Sequence, residues 1–428
     1  MNRNKGVPIK RRRMPAAWLL LFCLLLSACG GERERQQLPL PEEEEEEVII
    51  EEPEAVSYPP VTIRFAYQAK NAEEADLLEA LTSAFNDSNT QNVTVETIRA
   101  DAEPDFSDAD LLLLEARELA GMRGRIVPFR EELTQSLPSY AQLNPSLCGM
   151  FRMNGEILAV PLAGEAEVFF CHTALLEETG VTGVPADWDA VLREGRKLRE
   201  EKRLPLIGIT DRTALLELLL AQNDCAYLAD EGILFDNAAG RSVLKLLLTL
   251  FREEIVAVYE DEEALVKAFQ DKKTVGMFLN ASSEVRYELS ETAVSVSTLP
   301  VAQTRAFSTA GRGIALLTSD PEEQRGALAF LSYLTEPEQN ANYAIGTGRL
   351  PAVNSVYELP SYRNFLAADT ALDTASSAAD AFFFTARSER QEEMHGRLAQ
   401  ALEEALPGEA DAEEVIQTLR TAVHGGEE

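Results

Sequence analysis

The stretch from Gly155 to Trp188 reads GEILAVPLAGEAEVFFCHTALLEETGVTGVPADW, and its pattern of apolar runs and breaks points to the fold. Ile157 to Pro161 reads as an apolar strand, Ala163-Gly164-Glu165 cuts it, and Val168 to Cys171 resumes it before a helix that ends at Gly180. Such an interruption is expected where a chain crosses between two bodies. Pro185 then supplies a turn and Asp187 an N-cap, so that a helix runs through Ala190-Val191-Leu192 toward Leu198.

On the N-terminal side the pattern is strand, helix, strand. Val61 to Tyr67 is β-rich, Ala72 to Ser88 has helical spacing at Ala75, Leu78, Leu81 and Phe85, and Val93 to Ile98 alternates. Ala109 to Leu114 follows as a continuous apolar strand. Strands separated by helices predict an α/β fold with a parallel sheet, whose ligands sit at the strands' carboxyl ends. The residues to watch there are Tyr67, Gln68 and Lys70 after the first strand, and Glu115 and Arg117 after the third. On the C-terminal side, Leu206 to Thr210 reads as a short strand, followed by helices over Thr213 to Gln222, Ser242 to Phe251 and Glu262 to Gln270 and a strand over Thr274 to Leu279. The loops after these strands hold Asp211, Arg212 and Thr213, and Asn280 and Ser283.

A chain of 428 residues exceeds what one hydrophobic core usually organises, and 45% apolar residues suffice for two. The net charge of −33 sets aside nucleic acid or an anionic lipid surface as the main partner, because either would be repelled over most of the surface.

The first 29 residues read as an export signal. Lys5, Lys10, Arg11, Arg12 and Arg13 precede an apolar run from Ala16 to Ala28 that is short for a membrane span. Leu26-Ser27-Ala28-Cys29-Gly30 resembles the bacterial lipobox, which implies lipidation of Cys29 and a protein anchored to the outer face of the cytoplasmic membrane. Residues 30–60 carry the run Glu42 to Glu47 and little to bury, and read as an acidic, disordered tether. As a flexible coil it would span roughly 30 Å, and at most about 100 Å drawn out.

The order Gly155-Glu156-Ile157-Leu158-Ala159-Val160-Pro161, then Leu175-Leu176-Glu177-Glu178-Thr179-Gly180-Val181, then Pro185-Ala186-Asp187-Trp188-Asp189 resembles the family 1 extracellular solute-binding proteins, the relatives of maltose-binding protein. Ala268 to Met277, the Gln324 to Leu331 helix, Gly348-Arg349-Leu350-Pro351 and Gly408 to Ile416 are similar to later motifs of that family, so the likeness extends from Val61 to about Val423. The resemblance implies a two-lobed, periplasmic-binding-protein-like fold of type II with a ligand cleft between lobes joined by hinge crossings. It places the N-terminal lobe at 61–163 plus 307–354 and the C-terminal lobe at 164–306 plus 355–428. It also implies a small-molecule solute, a sugar above all, handed to an ABC-type permease in the membrane. Gly164, Phe307 and Thr309 are the expected hinge positions, with Gly164 supplying backbone freedom and Glu165 aiming a carboxylate into the cleft as in maltose-binding relatives. Where relatives often read G-P-W, this chain has Asn280-Ala281-Ser282-Ser283, so one stacking platform is lost, and Trp188 in its helix-starting motif is expected to be structural. Phe384 and His395 complete the candidate ligand contacts. Lys70, Arg117 and Arg212 favour an acidic or phosphorylated sugar over a long neutral glucan.

Signals for catalysis are weak. His172, His395 and His424 lack metal-helix spacing, no phosphate loop or nucleophile elbow occurs, and the expectation is a binding protein with no metal, no cofactor and no catalytic residue. Cys148, Cys171 and Cys225 remain after export, enough for at most one disulfide, and Cys171 reads as a buried apolar residue. Three rival readings stay open at this point: a sensor lipoprotein signalling to a membrane receptor, a binding protein for a non-sugar solute, and a structural lipoprotein with an empty cleft.

Overall fold

A computed structural model describes residues 58–99, 106–130, 134–135, 137, 139–181, 183–289 and 294–425. The export signal, Cys29 and most of the expected tether lie outside the described residues. The tether's expected end at residue 60 shifts, because Tyr58 and Pro59 are seated on the body: the Arg325 guanidinium lies 5.2 Å from the Tyr58 ring centre and donates to the Pro59 carbonyl at 2.7 Å.

Eleven strands among the described residues form one sheet. In chain order they are β1 (Val61–Tyr67), β2 (Val93–Arg99), β3 (Leu111–Glu115), β4 (Ala159–His172), β5 (Ile207–Ile209), β6 (Val256–Val258), β7 (Gly276–Asn280), β8 (Val294–Ser297), β9 (Phe307–Leu316), β10 (Leu350–Pro351) and β11 (Phe382–Phe383). The spatial order is β6-β5-β7-β4-β9-β3-β1-β2, with β8 and β10 also paired to β4 and β11 to β9. β1 runs parallel to β2 and β3, and β5 parallel to β6 and β7, as strands linked by helical crossovers must. β9 is antiparallel to both β3 and β4.

β4 ties the two halves of this sheet together. Its residues Ala159 to Ala166 pair with β9, and Glu167 to His172 pair with β7 and β8, so the partner changes between Ala166 and Glu167. The expected break at Ala163-Gly164-Glu165 is absent: the strand is continuous over fourteen residues. The reason is hydrogen bonding on both edges, since Ala163, Gly164 and Glu165 face Arg312, Gly311 and Ala310 of β9, and Gly164 and Ala163 also face Leu350 and Pro351 of β10. A backbone so paired has no need of a loop. The irregularity sits instead between Arg312 and Gly313, where the β9–β4 register shifts by one residue.

The helices follow the local signals. Asn71 caps helix α1 (Ala72–Ser88) through its side chain on the Glu74 amide, and Asp187 caps Trp188–Lys202 in the same way. Trp188 is buried, as expected of a structural residue, and its indole N–H donates to Gln222 Oε1 at 2.7 Å. The Gln222 amide nitrogen in turn donates to the carbonyls of Pro300 and Ala306, which pins the loop between β8 and β9 to the helix Arg212–Ala221. The three described cysteines are all free, and Cys171 is fully buried in β4.

Candidate functional site

The loops at the carboxyl ends of β1 and β3, the middle of β4 and the start of β9 enclose a cavity of about 1010 Å³. Gln68, Lys70, Glu115, Arg117, Glu165, Arg312 and Arg349 give it a charged lining, with Phe106, Leu112 to Leu114 and Met122 as its apolar part. Arg117 also borders a second cavity of about 180 Å³, whose walls include Asp211, Glu217, Thr309, Phe384, Arg387 and His395. A third, of about 310 Å³, lies against Lys70, Asn71, Ser282, Glu284 and Arg349.

Behind the large cavity is a buried ion network. The Glu74 carboxylate, 3% exposed, accepts from Arg312 Nη1 at 2.7 Å, Arg349 Nη1 at 2.7 Å and the Tyr343 hydroxyl at 2.6 Å, and from the Lys70 amide at 2.7 Å. Arg349 Nε donates to Glu165 at 2.5 Å, and Asn280 Nδ2 donates to the other Glu165 oxygen at 2.7 Å. Burial alone would push the Glu74 carboxyl up, but Arg312 and Arg349 outweigh it and hold the group at about 2. The same contest, burial against Arg349, leaves Glu165 below its ordinary value. Two residues along β4 the balance reverses: burial first, then the carboxylates of Asp211 and Glu262, push Glu167 up to about 7.

The smaller cavity is built on the helix Arg212–Ala221. Asp211 caps it, accepting from the Thr213 and Ala214 amides and the Thr213 hydroxyl. Glu217 pairs with Arg387, and the Tyr227 hydroxyl and His395 Nδ1 are hydrogen-bonded at 2.8 Å. Burial, helped by Arg387, pushes the His395 imidazole down, which favours its neutral form beside the carboxyl groups of Asp211, Glu217 and Glu392.

Residues 61–374 match the model of a family described as bacterial extracellular solute-binding protein. The chain belongs to that family. No curated protein matches it in sequence. Among solved structures, it is similar to the cyclic alpha-maltosyl-1,6-maltose binding protein from Arthrobacter globiformis, at 16% identity and a TM-score of 0.73 over 86% of this chain and 99% of that one. It is also similar to the sugar-binding protein MalE from Xanthomonas citri, at 16% identity and a TM-score of 0.71 over 85% and 97%. UgpB from Mycobacterium tuberculosis, solved in complex with glycerophosphocholine, follows at 17% and 0.67 over 86% and 98%. At these identities the likeness is one of fold, and the chain has the two-lobed α/β fold of these proteins. Among the described residues of this solute-binding protein, no group of three His, Cys, Asp or Glu could hold a metal ion, and no helix is long and apolar enough to cross a membrane.

Several expected contacts of the solute-binding protein lie where a ligand could reach them. Gln68, Lys70, Glu115, Arg117 and Glu165 border the large cavity, although Arg117 and Glu115 already pair at 2.8 Å. Asp211, Phe384 and His395 border the small one. The His395 side chain is 17% exposed.

Others must be corrected. Tyr67 is fully buried, because the last residue of β1 points inward against Phe65 and its hydroxyl turns to Glu79. Arg212 turns to Glu403 of the helix Glu389–Ala405 at 3.3 Å, and Thr213 spends its hydroxyl on the Asp211 cap in a buried position. Ser283 is buried and donates to Glu262 at 2.5 Å. Asn280 serves Glu165 rather than standing free. Of the expected hinge residues, Thr309 binds the Glu165 carbonyl at 2.7 Å and Phe307 is buried beside β11. Gly164 has no positive φ; a Cβ there would lie 2.8 Å from Leu147 Cδ2, which would have to shift, so packing against Leu147 is a reason for the glycine.

Arg312, Arg349, Glu74 and Glu217 were not anticipated. One signal for Arg312 existed: in Gly311-Arg312-Gly313-Ile314-Ala315-Leu316 a cation stands in an apolar strand, where it must find a buried partner.

Proposed function

We propose that this protein is the substrate-binding component of an ABC importer, which captures a carbohydrate in the cleft between its lobes and hands it to a membrane permease. The lobes are assigned to 61–163 plus 307–354 and to 164–306 plus 355–428, and lipid on Cys29 holds the protein at the outer face of the cytoplasmic membrane. It is a binding protein and not an enzyme.

The observation that carries this reading is the change of partner within β4. One continuous strand serves two half-sheets, and the large cavity reaches it at Glu165, beside the point where its partner changes. A ligand touching both sides there favours the closed form by the contacts it lacks in the open one. The carbohydrate assignment is supported by the smaller cavity, in which Asp211, Glu217 and neutral His395 offer acceptors for hydroxyl groups next to the Phe384 ring.

The test is a thermal-shift panel of sugars and small metabolites on the purified body, followed by calorimetry and small-angle scattering with any ligand found. A sugar that raises the midpoint, binds one to one and shrinks the radius of gyration is the expected result. Compaction with an amino acid or peptide and with no sugar would overturn the carbohydrate assignment; binding without compaction would overturn the closure.

A further inference from the structure

We infer that the ligand carries an anionic group, read by Lys70 and the Arg312 side chain at the β1 end of the large cavity. The inference rests on the solute-binding reading above and adds the chemical class of the solute.

Four features point to an anion here. Arg312 is 5% exposed; its Nη1 is taken by Glu74 and its Nη2 by the Gln68 carbonyl, yet its buried Nε has no acceptor. A buried cationic donor left unsatisfied is costly, and an acceptor arriving with the ligand removes that cost. Lys70 stands on the same wall, exposed, and its ammonium makes no ion pair among the described residues. The local charges also leave a surplus. Lys70, Arg117, Arg125, Arg312 and Arg349 line the cavity against Glu115, Glu118 and Glu165, with Glu74 behind them, which leaves a cation in excess on a protein of net charge −33. Lys70 also precedes the N-terminus of α1, whose peptide dipoles favour negative charge. At the other end the carboxyl groups of Asp211, Glu217 and Glu392 outnumber the cations Arg117 and Arg387, which favours one orientation of the ligand: acid toward Lys70, hydroxyls toward His395.

Calorimetry on the wild type, Lys70→Gln and Lys70→Arg with glucuronate, glucose and glycerol 3-phosphate tests this. Lys70 is exposed, so both variants should fold, and Arg312 is left intact. The expected result is that glucuronate binds at least about tenfold tighter than glucose, that Lys70→Gln erases most of the difference, and that Lys70→Arg keeps it. Glucose bound as tightly as glucuronate overturns the anion and leaves the carbohydrate reading standing. Lys70-dependent binding of glycerol 3-phosphate with no binding of either sugar upholds the anion and overturns the carbohydrate. An unchanged preference in Lys70→Gln, or no anionic probe bound by the wild type, overturns the inference.

Discussion

Arg349 Nε donates to Glu165 Oε1 across 2.5 Å, joining positions 184 apart in the chain through an arginine side chain that is 5% exposed. Because Arg349 also holds Glu74, a residue lining the large cavity and a residue in the first turn of α1 share one cation. The middle of β4 is therefore clamped to its neighbours by charge as well as by backbone pairing.

Glu74 is expected to matter more for stability than any exposed charge. Its folded value near 2 lies below its ordinary 4.5, so its contribution is fully present above pH 4.5 and is lost as pH falls toward 2. That is about 3 kcal/mol of acid sensitivity. Glu74→Gln leaves Arg312 without a carboxylate and Arg349 with Glu165 alone, and should cost roughly 3 kcal/mol or more at pH 7 in urea unfolding. A loss within error of zero would show that the network is not coupled to folding.

Glu167 should act in the opposite sense. Its folded value near 7 exceeds 4.5, so the folded protein binds the extra proton and stability declines as pH rises from 4.5 to 7. The groups facing it are Asp211 and Glu262, with Glu165, already paired to Arg349, on its own strand. Glu167→Gln should flatten that decline and raise the unfolding midpoint at pH 8. Parallel midpoint-versus-pH curves for the variant and wild type would refute this.

Gly164→Ala separates packing from hinge freedom. The new methyl meets the Leu147 side chain, and a loss of about 1–3 kcal/mol in denaturant unfolding is expected, recovered in part by Leu147→Ala. If instead stability is unchanged and ligand-induced compaction disappears, the glycine is a hinge after all.

Cys29→Ala tests the anchor. With lipid on Cys29, the variant should leave the membrane fraction or stall during processing, since two acyl chains hold stably where one is marginal. Unchanged fractionation and processing would exclude lipidation at this residue.

Local signals settled much of the architecture. The spacing in Ala72 to Ser88 and the composition of Val61 to Tyr67 locate α1 and β1 to the residue, because amphipathic periodicity and β-branched runs are properties of neighbours in the chain. The same holds for the cap at Asp187 and for Lys70 and Arg117 at strand ends, where topology alone dictates which loops face a ligand. What tertiary structure decided was every question of partnership. Glu165 reads as a free hinge carboxylate until Arg349 and Asn280 are folded against it; Gly164 reads as a flexible joint until Leu147 fills the space beside it; Arg212 reads as a ligand contact until Glu403 draws it away. Ala163 to Glu165 reads as a break until β9 and β10 supply its hydrogen bonds. Propensity acts over a few residues, whereas the partners of these charges and backbone edges come from 115 to 191 positions away, and only the folded chain brings them within 3 Å or so of one another.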